Sequence, residues 1–509
     1  MELEFDFIVI GAGSAGCAVA HGLAMANRGT VCVLEAGPSD AVPQVKVPFG
    51  LLYTMGSGRD WKFRSAPQAH AGGRNLSVAR GKMVGGSSSI NSMAWFRGRK
   101  DDFDGWSMPG WGGDEVWAEF EQVEAAIQPD RLPHPHGLAE AFGTCLGSNG
   151  HAPPTPERES AGVVHVNMRN GRRWSAADAF LRPAQKTGRV EVLKGANTDR
   201  IALEHGRART VHLCDGRTIS ARKAIVVSAG SIGSPAILLR SGIGPGNHLR
   251  ELNIDVAVEC EGVGRNLHDH PGVGLHHVGP RSGYGLTADQ ALAWAISPFQ
   301  WLLKRSGRMT SNFVEAVAFF RAGEIGSDGD GRPDIQTHLI PYMMGYKGKT
   351  ITTGSGYFAD VCVCRPKSRG RLTLTSSDPN DDPRIDLGVL SDPADLYLMV
   401  AGIKRLRTIL ATAEFGGMQA PEAHPGPNVS SDEELASYIH RSCGTAYHPV
   451  GTVAMGTEGT PLDPSLRLRG VDGLYVADAS VMPKVTSANT NAPSMMIGHR
   501  AAKLILADN

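Results

Sequence analysis

The 509-residue chain has no run of 18 apolar residues, so no segment reads as a membrane-crossing helix. It has no excess of either charge. Lys+Arg and Asp+Glu number 51 each, which leaves no basic face to track a phosphate backbone and excludes nucleic-acid binding as a leading function. The eight cysteines are scattered, with no C-x-x-C, and the C-x-C of Cys362 and Cys364 lacks a second pair, so no metal site is expected. Thiols used this way suit a reducing compartment, and the short, acidic N-terminus is a poor secretory leader, so the expected location is cytoplasmic. Internal repeats and low-complexity linkers are also missing. No cluster of carboxylates and aromatics suggests a cage for a quaternary ammonium.

Glycine is what the chain has in excess: 63 of 509 residues, without a collagen-like period, against a usual share of about 7%. The excess points to tight turns and close backbone approaches. The first place to look is the N-terminus. Phe5–Ile10 is a β-branched and aromatic run that reads as a buried parallel strand. It leads into Gly11-Ala12-Gly13-Ser14-Ala15-Gly16, a helical stretch from Cys17 to Met25, and a second strand from Thr30 that ends on Glu35. Gly11 permits the turn, Gly13 lets the backbone approach a pyrophosphate, and Gly16 lets helix and strand pack closely. A helix N-terminus then faces the phosphates, and an acid about 20 residues on can accept from a ribose. Strand, glycines, helix, second strand and terminal acid in register imply a bound dinucleotide. The motif alone does not separate FAD from a nicotinamide. Only one such fingerprint occurs, which favours one bound dinucleotide and a non-nicotinamide electron partner.

Further along, Gly85-Gly86-Ser87-Ser88-Ser89 again presents backbone amides to an anion or a flat ring. Lys223 to Gly230 is another strand and loop, with Ser234 expected to cap a helix that has Pro235 at its first position. Gly473–Asp478 is a strand that delivers an acid to a loop, and Asn489-Thr490-Asn491-Ala492-Pro493 precedes a C-terminal helix. Residues 280–445 differ. Their alternating strands, such as Val361–Arg365 and Arg371–Thr375, predict a second domain on an antiparallel sheet. Expected boundaries are 1–279 for the dinucleotide domain with interleaved parts of the second, 280–445 for the substrate domain, and 446–509 for the return to the first. The fold class is α/β, a Rossmann-type domain joined to a mostly antiparallel sheet flanked by helices.

Together these segments resemble the glucose–methanol–choline family of FAD-dependent alcohol oxidoreductases, over essentially the whole chain. Gly81–Gly98, with Gly-Gly-Ser-Ser-x-Ile-Asn at its centre, is similar to the family's first signature, and Gly230–Gly244 to its second. Pro366–Leu372, Tyr447–Gly456 and Val476–Ser480 are similar to its C-terminal half. The resemblance implies non-covalent FAD, because Ile90 stands where some members have a flavin-linked histidine. It places Gly11, Gly13, Ser14, Ala15, Gly16, Glu35 and Ala36 on the ADP half, with Thr198, often valine in the family, near the adenine. Trp61, Arg80, Gly81, Val84, Gly85, Gly86 and Ser87 would follow the ribityl chain and ring, as would Asn91, Ser92, Met93 and Ala94. Ala229, Gly230, Asp478, Ala479, Asn491 and Ala492 complete the implied cofactor set.

The same resemblance makes His448 the catalytic histidine and Asn491 its paired residue. A neutral imidazole suits removal of an alcohol proton, and an amide can hold the developing alkoxide while hydride leaves carbon. His268-Asp269-His270 is read as structural, since neighbours on a short loop rarely chelate together. Expected partners are a small-molecule alcohol and O₂ or another acceptor, with no nucleic acid and no stable membrane insertion. The expected reaction is oxidation of a primary alcohol by an oxidase, with an aromatic or heteroaromatic hydroxymethyl substrate of the pyridoxine or hydroxymethylfurfural sort. Alternatives are a dehydrogenase that passes electrons to a quinone from aliphatic alcohols or choline, and an FAD-containing hydroxynitrile lyase.

Overall fold

A computed structural model describes residues 3–148, 152–323, 331–345 and 352–509. Two seven-stranded sheets organise them. The first has a parallel centre, in the order 190–194, 31–35, 3–10, 218–227 and 474–476. Arg207–Leu213 and Thr198–Glu204 extend it as antiparallel strands. Helices cover the parallel part, so its strands need not alternate: Val31–Glu35 is buried at every position. Ser14–Met25 and the C-terminal helix Asn491–Asp508 lie side by side on it. Small residues set that approach. A Cβ on Gly22 would sit 2.4 Å from the Ala502 side chain, and one on Gly498 2.3 Å from the Ala15 carbonyl oxygen.

The second sheet runs 422–424, 271–278, 356–363, 335–340, 316–320 and 160–163, antiparallel throughout. The antiparallel character follows the sequence expectation, but the membership is wider. Ser160–Val163 and Pro271–Val278 come from outside 280–445, and Gly444–Thr445 pairs with the latter. Helix Pro393–Thr412 covers one face, where a Cβ on Gly402 would press on Val361 and Ile335. With helix on one face and cavity on the other, Ile335–Ile340 is buried at all six positions. A histidine there, His338, therefore lies inside the protein.

Two local expectations are corrected. The helix predicted to start at Ser234 starts a turn earlier and spans Gly230–Arg240, with Pro235 inside it. Ser234 Oγ accepts from Ala229 N and donates to Asp478 instead of acting as an N-cap. The strand at Arg371–Thr373 does not join the large sheet but pairs with Arg384–Asp386.

Candidate active site

The loops after Ile10, Glu35, Val227 and Val476 all leave the carboxyl edge of the parallel sheet, where a doubly wound fold opens its ligand crevice. They line a cavity of about 1080 Å³ that continues to the second sheet. Its glycines divide by what surrounds them. A Cβ on Gly11 would lie 2.5 Å from Ser228 O, and one on Gly16 2.0 Å from Gly11 O, so these two permit backbone packing. Gly13 is different: a Cβ there meets nothing closer than 3.9 Å, because it borders open cavity. Gly86, at φ +52°, would press a Cβ to 2.7 Å from Gly13 Cα, so the two glycine-rich turns touch back to back.

Glu35 reaches this place as expected. Its carboxylate accepts from Ala12 N at 3.1 Å and Gly37 N at 2.8 Å, and burial outweighs both bonds to raise its pKa. Asp478 accepts from Gly230 N, Ser234 Oγ and Ser480 N at 2.5–2.8 Å and ties the loops of two strands together. Among the buried polar atoms on the cavity wall without a hydrogen-bond partner are Thr198 Oγ1 and Asn491 Nδ2. A cradle with a bare glycine backbone, a helix N-terminus at Ser14 and two unsatisfied polar atoms fits a dinucleotide that carries a pyrophosphate and a ring.

Most of the predicted set faces the cavity: Gly11, Gly13, Ser14, Ala15, Glu35, Ala36, Trp61, Arg80, Gly81, Gly86, Ser87, Asn91, Ser92, Ala94, Thr198, Ala229, Gly230, Asp478, Ala479 and Asn491, along with His448. Gly16, Val84, Gly85, Met93 and Ala492 do not. They stand behind the wall: Gly85 N donates to Ala12 O, and Met93 is buried in the core beneath.

The pairing of His448 is corrected. Asn489, not Asn491, bonds its ring, with Nδ2 3.1 Å from His448 Nε2. Asn491 begins the C-terminal helix, and its Oδ1 turns toward the first helix to accept from Ser14 Oγ at 2.8 Å. Asn489 lies in the preceding loop, where Gln336 Nε2 donates to its Oδ1 at 3.0 Å.

The histidine network fixes the tautomer of His448. Burial holds His270 down to about pKa 4, so it is neutral near pH 7. Its Nε2 is 3.0 Å from the Thr486 carbonyl and must donate, which leaves a lone pair on Nδ1. His448 Nδ1 lies 3.1 Å from that lone pair and therefore carries the proton. Burial, then the neighbouring His270, His338 and Arg80, push His448 well below the ordinary imidazole range. His448 is thus neutral, with the Nε2 lone pair directed at Asn489.

The backbone around His448 is pinned. Tyr447 occupies a left-handed conformation at φ +64°, uncommon for an aromatic residue. Arg80 donates to its carbonyl, and Asp269 Oδ1 accepts from His448 N at 2.9 Å. Burial raises Asp269 to about pKa 6. His268, by contrast, is a strut: its ring bridges Asn266 O and Val485 N. So the His268-Asp269-His270 run, read as structural, has one structural member and two that bear on the base.

Across the cavity stand His338 and Asp360, with Nδ1 3.0 Å from Oδ2. Burial opposes charge on His338, but Asp360, with help from Asn489, raises its pKa above the ordinary value. Among the described residues, His338, Asp360 and Cys362 form one group whose donor atoms lie within 4.8 Å. The Cys362 thiol, kept neutral by burial, donates to Asp360 at 3.4 Å, so the three groups are joined by hydrogen bonds of their own. Sequence reading missed Asn489, His338, Asp360 and Gln336. The available signal was polar residues recurring inside the apolar Ile335–Ile340 and Gly356–Val363 strands.

A crevice shaped for a dinucleotide, with a neutral buried histidine on its wall, suits redox chemistry on a small molecule. The chain belongs to the GMC oxidoreductase family: models of that description match residues 5–272 and 366–498. It is 36% identical over 539 residues to the oxygen-dependent choline dehydrogenase of Sinorhizobium fredii, covering 99% of this chain and 96% of that one. The Brucella canis protein of the same name is 36% identical over 536 residues, with the same coverage. Among solved structures, pyridoxine 4-oxidase from Mesorbium loti superposes with a TM-score of 0.84 at 26% identity, covering 98% of both chains. Formate oxidase from Aspergillus oryzae RIB40 shares the fold at a TM-score of 0.89 and 24% identity, covering 100% of this chain and 99% of that one. The cofactor of the family is FAD.

Proposed function

We propose that the protein oxidises a primary alcohol to an aldehyde, with an aromatic or heteroaromatic hydroxymethyl compound as substrate and dioxygen as the acceptor. The observation that carries this reading is the neutral His448 ring, whose Nε2 lone pair lies at the inner cavity beside Asn489 Nδ2. FAD, when bound, supplies the hydride acceptor, held without a covalent link because Ile90 offers no nucleophile. His448 Nε2 takes the hydroxyl proton as the alcohol replaces Asn489 as donor to it. Asn489 Nδ2 then donates to the oxygen as negative charge develops. Phe313, Val314, Ile340, Met344 and Phe358 supply an apolar wall for a ring. His338 and Asp360, paired at 3.0 Å on the cavity wall, offer a polar group for a hydroxyl or a ring nitrogen of such a substrate. Ala446 leaves room beside His448 for a small acceptor.

A second reading, electron transfer to a lipid-soluble quinone, is favoured by the apolar outer face of the helix Ala291–Lys304 beyond the cavity wall. Anaerobic titration of the holoenzyme with benzylic, pyridylmethyl, aliphatic and choline alcohols tests the main proposal, with flavin absorbance near about 450 nm as readout. The expected result is bleaching by the ring-bearing alcohols, and recovery with peroxide when air is admitted. His448→Ala is expected to slow bleaching by about 10²–10⁴. Bleaching by choline alone refutes the substrate class, and bleaching without recovery in air refutes the acceptor. Unslowed reduction in His448→Ala refutes the base. No bleaching by any alcohol, with turnover of a cyanohydrin, would identify a lyase instead.

A further inference from the structure

A helix on the surface of a globular protein ordinarily turns polar residues outward. Ala291–Lys304 does the reverse. Its inward side carries Trp294, Ser297 and Trp301, while the outward side shows Leu292, Ile296, Phe299, Leu302 and Leu303. Leu303 is 82% exposed, Leu292 74% and Phe299 64%. Positions 292, 296, 299 and 303 form one continuous stripe along the axis. From Ala291 to Leu303 no exposed residue of this helix is charged or polar.

The inner side is firmly held, so the stripe is not a loosely packed segment awaiting burial in the core. Trp294 packs on Phe49 and Tyr342, with ring centroids at 5.4 and 6.3 Å, and Trp301 Nε1 donates to Gly171 O at 2.7 Å. The charges gather where the stripe ends. Lys304 is exposed, the Arg305 guanidinium stacks 4.1 Å from the Trp301 ring, and Arg172 stands exposed on the hairpin that Gly171 belongs to. Asp130 and Arg131 share the adjoining cleft, with Arg131 held by Glu140, and Asp289 lies beyond the opposite end.

We propose that this helix is a docking element that lays its apolar stripe into the surface of an anionic phospholipid bilayer. Its form is that of an interfacial helix, apolar on one side with cations beside it, and the cations complement anionic headgroups. No helix among the described residues is long and apolar enough to span, so the contact is with one leaflet. A second copy of the chain fits less well. Its five exposed apolar side chains, from 43% to 82% accessible, offer roughly 600 Å² together. A stable dimer needs about 800 Å² from each partner. Placement strengthens the case. The inner side of the helix packs on Phe49, next to Leu51 and Met55 of the cavity wall, and Tyr53 adds an exposed ring at 70%. The docked face therefore lies outside the substrate chamber.

The FAD-loaded protein is to be floated with vesicles of phosphatidylethanolamine and phosphatidylglycerol, beside the double variant Phe299→Glu, Leu303→Glu. The wild type is expected to float with the vesicles. The variant is expected to lose at least tenfold in binding while its alcohol-dependent flavin bleaching in solution stays unchanged. Phe299→Cys carrying a polarity-sensitive dye is expected to shift to the blue on vesicle addition, which reports the contact even if the double variant misfolds. A wild type left in the soluble fraction overturns the proposal, as does a variant that floats equally well. A wild-type dimer converted to monomer by the variant, without vesicle binding, assigns the stripe to a second copy instead.

Discussion

At the scale of single residues, the site turns on where two asparagines point. Asn489 and Asn491 are two positions apart, and the start of the C-terminal helix between them sends one side chain to His448 and the other to Ser14. Asn489→Ala should lower the rate of flavin reduction by about 10–100-fold, because it removes a donor to the reacting oxygen. Asn491→Ala should change FAD affinity and the flavin spectrum more than that rate. Stopped-flow reduction and a cofactor-release titration on the two variants separate these roles, and the reverse pattern would restore Asn491 as the partner. The pH dependence follows from the same network. An imidazole held well below its ordinary range is already deprotonated at pH 6.5, so His448 itself should add no limb to the reduction rate between about pH 6.5 and 7.5, and a limb there belongs to His338, whose pKa is raised. A limb centred near pH 6.5 that survives His338→Asn would show that His448 titrates as an exposed histidine does. His448 could be placed from sequence because the residues around it form a long contiguous motif. Asn489, His338 and Gln336 could not, since their roles come from strands and loops that only the tertiary fold brings together.

At the scale of elements, the first strand–turn–helix was legible because each glycine answers a local requirement. Strand, turn and helix are adjacent in sequence, so no distant partner has to be guessed. The helix at Gly230–Arg240 was misread because Pro235 resembles a start signal, whereas the true start is set by Asp478, far away in sequence. The second sheet was recognisable in type but not in membership, as its edge strand Ser160–Val163 is separated from the rest by long connections. The glycines allow a sharper test. Gly13→Ala should leave a folded protein with little or no flavin, because the new methyl group projects into open cavity. Gly16→Ala should fail to fold or lose several kcal/mol, because its methyl group would lie 2.0 Å from a backbone oxygen. Flavin-to-protein absorbance ratios and thermal melts distinguish the outcomes. A yellow, fully loaded Gly13→Ala would show that the ligand does not approach that turn.

At the scale of the whole molecule, the two sheets are joined through loops that carry buried polar groups. His268 illustrates this arrangement, since its ring connects the loop before the strand Pro271–Val278 to the loop before the C-terminal helix. Burial lowers its pKa to about 3 in the folded protein, against about 6.5 when unfolded. The unfolded chain therefore binds a proton that the native protein refuses. The stability contributed by neutral His268 is complete above about pH 6.5 and is lost as pH falls toward 3, by about 1.4 kcal/mol per pH unit. Other buried groups act in both directions; Asp269, raised to about 6, stabilises the native state as pH falls through that value. Only a difference between variants isolates one histidine. His268→Asn keeps a side chain able to hydrogen-bond but does not titrate. It should be less stable than wild type at pH 7, because it cannot span both backbone groups. Between pH 7 and pH 5 that deficit should shrink by about 2 kcal/mol, because only the wild type carries the proton penalty. Urea unfolding of both proteins at the two pH values, at equal FAD concentration, measures the difference directly. A deficit that stays constant would mean that His268 is protonated in the native protein, and its contacts would then have to be read as those of an imidazolium.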